Sequence, residues 1–101
     1  MVTEIARFTA QPGKEDALRD GLTLAMAVFP RDPACHGITL RRCVEEPNVF
    51  MYQIEWESLE LHHAFRASPL FAEYRSHITG YFQEPIDLRH YETVSDSMSE
   101  A

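Results

Sequence analysis

The clearest pattern in the chain lies at "NVFMYQIEWE". Phe50, Tyr52, Ile54 and Trp56 fall on one side at period two, and Met51, Gln53, Glu55 and Glu57 fall on the other. That alternation predicts a half-buried β-strand. "HGITLRRCV" predicts a strand before it, and the intervening "EEPN" carries the proline and asparagine of a hairpin turn, so the two strands are expected to be antiparallel neighbours. Residues 2–9, "VTEIARFT", predict a first strand with Ile5 and Phe8 as its apolar positions and an imperfect alternation. After the break at "QPG", Leu18, Leu22, Ala25, Met26 and Phe29 repeat at helical spacing. Glu15 and Asp16 sit in the first turn, where they complement the helix dipole, and Pro30 and Pro33 end the helix. Ser58 is placed to cap a short helix, "LELHHAFRA". Ser68 and Pro69 stop and restart it, and the new helix carries Phe71, Tyr74, Ile78, Tyr81 and Phe82 along one stripe. Pro85 opens a last strand, "IDLRHYETV".

The order strand, helix, strand, strand, broken helix, strand predicts an α+β fold of the ferredoxin-like, split βαβ kind, with an antiparallel sheet and its helices on one face. Residues 1–93 form the expected domain, and residues 94–101, poor in apolar side chains, the expected mobile tail. The sheet face away from the helices mixes apolar Ile5, Val49 and Met51 with polar residues. A second copy covering it across a two-fold axis would close a barrel, so a homodimer is expected.

Composition narrows the classes of partner. A chain of 101 residues with 45% hydrophobic and 25% charged residues is an ordinary single globular domain. Its net charge of −7 repels phosphate backbones and anionic lipid surfaces, so neither nucleic acid nor a membrane is an expected partner. No apolar run approaches the ~20 residues of a membrane span, and the N-terminus alternates charged and apolar residues instead of forming a signal peptide. A cytoplasmic location follows as the expectation. Cys35 and Cys43 lie about 26 Å apart if they share one extended strand, too far to bridge.

The candidate chemistry gathers after the lone tryptophan. Tyr52 and Trp56 share a sheet face. If that face points at the helices, Phe65, Phe71 and Tyr74 complete an aromatic cavity, with His62 or Arg75 to receive a proton or hold an anion. His62 and His63 point about 100° apart on a helix and cannot chelate one ion together. Glu73 and His77 share a helical face without a third ligand at a recognisable spacing, so no metal site is expected.

"ARFTAQPGKEDAL", "ACHG" and "EWESLELHHAFRASPLF", in this order and spacing, resemble the antibiotic biosynthesis monooxygenase family from Val2 to about Thr93. The resemblance implies a dimeric α+β barrel and one of two chemistries. One group of members oxidises phenols or quinols with O2 and uses neither flavin nor metal; the other binds and degrades haem. At the three positions the haem-degrading members use, this chain has Ala6, Phe65 and Arg75. Arginine stays protonated and cannot coordinate iron, which leaves His77 as the substitute ligand to consider. Many members also carry a histidine where Phe65 stands and a glutamate where this chain has Ile54. The leading expectation is a cofactor-independent monooxygenase acting on a small aromatic phenol or quinol, anthrone-like, with O2. Trp56, His62 and Tyr52 are its catalytic candidates, and Phe65, Arg75, Phe71, Tyr74 and Ala6 its substrate-binding ones. A non-catalytic small-molecule-binding or sensing dimer is the alternative, and haem degradation the third reading.

Overall fold

The computed structural model describes residues 1–97. Strand β1 spans Val2–Thr9, helix α1 Glu15–Ala25, β2 Cys35–Arg42, β3 Val49–Trp56, α2 Leu59–Arg66, α3 Pro69–Ser76 and β4 Asp87–Tyr91. The sheet order is β2-β3-β1-β4, antiparallel throughout. This is the ferredoxin-like α+β arrangement that the order of elements predicts. Half of the expected tail, residues 98–101, lies outside the described ones.

One sheet face packs on the helices. From β3 it receives Phe50, Tyr52, Ile54 and Trp56, each almost wholly buried, as the period-two pattern requires. From β1 it receives Glu4, Ala6 and Phe8, all buried. The alternation of β1 is therefore regular, and Ile5 lies on the opposite face. The strand looks irregular in sequence because one of its inward positions is a glutamate. Val49 holds an outward position of β3, as expected, and is buried there at 5% exposure.

Helix α1 lays Leu18, Leu22 and Ala25 on the sheet. It ends at Ala25, earlier than its apolar spacing suggests, and Phe29 belongs instead to a 3-10 turn, Phe29–Arg31, with Pro30 at its start. Phe29 still reaches the core and packs against Tyr52, Trp56, Phe65 and Tyr74. Gly21 faces α3's end, where a Cβ would lie 2.3 Å from the carbonyl oxygen of His77, so only glycine permits this approach. Helix α3 stops at Ser76. Ile78 and Phe82 are buried beyond it, and Phe82 makes a β-bridge to Ala10. Strand β2 ends before Cys43, and both cysteines are free thiols.

Candidate functional site

Two capping residues set the phase of the helices over the sheet. Ser58 accepts the Leu61 N–H at 3.1 Å, which starts α2 so that His62 and Phe65 face inward while His63 stays exposed. The Ser68 hydroxyl donates to the Phe65 carbonyl at 2.7 Å and ties the end of α2 to the start of α3. Between these helices, β1 and β4 lies a cavity of about 290 Å³. Its walls set aromatic rings among charged side chains, Glu84 included. Phe29 stacks on Phe65 at 5.1 Å, and Phe71 meets Phe65 and Tyr74 edge-on at 6.1 and 5.6 Å. Arg66 and Arg75 also line it, with guanidinium carbons 6.0 and 5.5 Å from the Phe71 ring.

At its inner end sits Glu4, 4% exposed. Trp56 donates its indole N–H to Glu4 Oε1 at 2.8 Å, and His62 Nε2 lies 3.1 Å from the same oxygen. His62, 2% exposed, stacks on the Trp56 ring at 4.7 Å. Its other nitrogen, Nδ1, is 2.6 Å from His90 Nε2 on β4. Burial pushes the Glu4 carboxyl from its ordinary 4.5 up to about 6, against the opposing pull of the Trp56 hydrogen bond and the Arg66 charge. Burial also brings His62 down from 6.5 to about 4, helped by the charges of His90, Arg66 and His63. Near neutral pH the pair is thus a carboxylate beside a neutral imidazole. The Trp56 hydrogen bond and the His62 contact both fall on Oε1, so Oε2 is the carboxylate atom better placed to accept a proton.

Of the residues expected from the sequence, His62, Phe65, Phe71, Tyr74 and Arg75 line this cavity. Trp56 stands behind it, holding Glu4 and His62. Tyr52 and Ala6 do not reach it. The Tyr52 hydroxyl donates to the Leu22 carbonyl of α1, and burial raises that phenol further above its already high ordinary value. Tyr52 therefore pins α1 to the sheet, and Ala6 fills the space between Tyr52 and Leu88 on the flanking strands. His77 caps the end of α3 and is not a cavity residue. Among the described residues no group of three His, Cys, Asp or Glu side chains converges as a metal site.

Glu4, His90 and Arg66 are the site residues that the sequence reading missed. Counting back from Phe8 by twos reaches Ala6 and then Glu4, and counting on from Leu88 reaches His90. In the sheet register Glu4 lies opposite Ile54 on one side and His90 on the other. Glu4 thus stands directly across from Ile54, the position where the family resemblance implies a glutamate.

The domain thus carries a partly open cavity with a buried carboxylate in its wall and an imidazole beside it, the kind of place where small molecules bind. The family model for antibiotic biosynthesis monooxygenases matches residues 1–76, and the chain belongs to that family. A candidate antibiotic biosynthesis monooxygenase from Bordetella bronchiseptica is 34% identical, with a TM-score of 0.86 over 93% of this chain and 97% of its own. Another, from Deinococcus radiodurans, has the same fold at 16% identity, with a TM-score of 0.80 over 96% of each chain. The uncharacterised Bacillus subtilis (strain 168) protein YczJ is 25% identical over 95 residues, 93% of this chain and all of its own. Family membership and the Bordetella relative support a monooxygenase-type activity on a small molecule. Among the described residues no helix is long and apolar enough to cross a membrane.

Proposed function

We propose that this protein is a cofactor-independent monooxygenase, a cytoplasmic homodimer that oxidises a small aromatic phenol or quinol, anthrone-like, with O2. The observation that carries the reading is Glu4, a buried carboxylate in the wall of the cavity, with Trp56 hydrogen-bonded to one of its oxygens and His62 Nε2 3.1 Å from the same atom. In the proposed reaction Glu4 Oε2 takes the substrate's acidic proton. The resulting anion passes an electron to O2, and the radical pair combines inside the cavity to form a C–O bond. The O–O bond then breaks as the same carbon loses its remaining hydrogen. One oxygen stays in the product, and the other leaves as water with the proton that Glu4 returns. The substrate supplies all the electrons that O2 needs. Phe65, Phe71 and Tyr74 would hold the flat ring and keep water out, while Arg66 and Arg75 would favour the anion over the neutral phenol.

The test is oxygen uptake by metal-free, flavin-free protein over a panel of hydroquinones and anthrones, with Trp56→Phe and His62→Ala beside the wild type. Uptake above autoxidation that both variants diminish supports the reading. Ligand binding without any uptake by the folded dimer would replace it with the binding or sensing alternative.

The open face of the sheet is the proposed dimer surface, with Ile5, Met51 and Tyr91 spaced among Thr3, Arg7, Gln53 and Arg89. A charge at its centre would be desolvated on pairing. Ile5→Glu is therefore expected to shift the protein to monomer in light scattering, with its circular dichroism retained; an unchanged dimer would move the interface elsewhere.

A further inference from the structure

We infer that His90 is a positioning residue that fixes the tautomer of His62 and so holds Glu4 as the cavity's base. The inference rests on the reading of Glu4 given above. A neutral imidazole has one N–H and one lone pair, and two of its neighbours here are themselves fixed. Glu4 as a carboxylate offers only lone pairs, and His62 Nε2 lies 3.1 Å from one of its oxygens, an ion-pair contact that attracts an N–H there and repels a second lone pair. His62 Nδ1 is then an acceptor, and the partner 2.6 Å away, His90 Nε2, must be the donor. This direction turns an N–H toward the carboxylate and gives Nδ1 a donor, whereas the reverse sets the Nε2 lone pair against the Glu4 charge. The fold places the donor reproducibly, because His90 is the direct cross-strand partner of Glu4 and His62 reaches down over both from α2.

Without a donor at this place, the His62 proton can move to Nδ1. The Nε2 lone pair would then face the Glu4 carboxylate and oppose its charge. The other groups whose charge or polarity reaches this chain are Arg66 and His63 on α2, Trp56 on β3, Tyr74 on α3 and Cys35 on β2. The His63 ring lies 6.2 Å from His62 and 6.3 Å from His90, and the Trp56 N–H is already given to Glu4.

The test uses the full chain labelled with ¹⁵N and ¹³C. Long-range ¹⁵N–¹H spectra near neutral pH read which His62 nitrogen carries hydrogen, and the Glu4 side-chain carboxyl ¹³C shift reads its titration midpoint. Wild type is expected to carry the His62 proton on Nε2. His90→Leu is expected to lose that preference and to raise the Glu4 midpoint by about one pH unit. His90→Gln, whose amide can donate to Nδ1, is expected to restore both. A wild-type proton on Nδ1 overturns the inference whatever the variants do, as does a His90→Leu protein with the wild-type tautomer and midpoint. Since neither readout needs turnover, a chain inert to every quinol but with these tautomer changes would sink the oxygenase reading and keep His90's role.

Discussion

Glu4→Gln is expected to lower kcat/KM for quinol-dependent oxygen uptake by at least about 100-fold, the usual lower bound for losing a positioned general base. The amide oxygen can still accept from the Trp56 indole and the His62 Nε2–H, so the fold and the cavity should survive. What is lost is the carboxylate that takes the substrate proton through Oε2. The pH profile gives a second readout. With the Glu4 carboxyl at about 6, wild-type kcat/KM should rise with pH through that value and level off above it, while the variant should lack this limb. Equal rates and profiles in the two proteins would remove Glu4 from the chemistry.

The same substitution has a stability signature whose sign follows from linkage. The folded-state carboxyl lies above its unfolded value of 4.5, so folding favours the protonated form. This contribution is fully present below 4.5 and is lost as pH rises through about 6; its size is on the order of 2 kcal/mol. Glu4→Gln cannot titrate, so it should gain on wild type by that order as pH rises across the window. His62 runs the other way. Its folded value of about 4 lies below the ordinary 6.5, so its contribution is present above 6.5 and is lost as pH falls through 4. Comparing denaturation midpoints of wild type and variant at each pH isolates the Glu4 part.

Phe29→Ala should be the most destabilising substitution in the cavity wall, costing about 3–5 kcal/mol. Phe29 is 2% exposed and touches four other aromatic rings, at centroid distances of 4.8 to 6.3 Å. Removing it opens a void among Tyr52, Trp56, Phe65 and Tyr74, none of which can move far without leaving its own contacts. Since a domain of this size is stable by about 5–15 kcal/mol in total, the variant should melt far below the wild type in thermal or urea denaturation. A loss under about 1 kcal/mol would mean that the turn at Phe29–Arg31 is loosely packed.

The sheet and helices were legible because their apolar positions keep time. Phe50, Tyr52, Ile54 and Trp56 mark β3 unambiguously, and the Ser58 cap and the Ser68-Pro69 break punctuate the two short helices. The same rule hid the centre of the site. Glu4 occupies an inward position of β1, so a search for alternating apolar residues treats the strand as irregular and passes over the one charge it buries. His90 was lost in the same way on β4, a strand half-buried even at its inward positions. Tyr52 illustrates the opposite error, since its place on the inward face says nothing about which neighbour its hydroxyl meets. That neighbour, the Leu22 carbonyl, comes from α1 and is set by tertiary packing. Phe29 looked helical because Pro30 admits one more turn after α1, of the tighter 3-10 kind, which carries the ring into the core at nearly the same spacing.

The most direct test of the proposed reaction is turnover of a hydroquinone or anthrone under ¹⁸O2 by protein freed of metal and flavin, with mass analysis of product and water. The expected result is one labelled oxygen in each product molecule and the second in water, at a rate above autoxidation. Product without label, or no uptake by folded protein across the panel, would contradict a cofactor-independent monooxygenase.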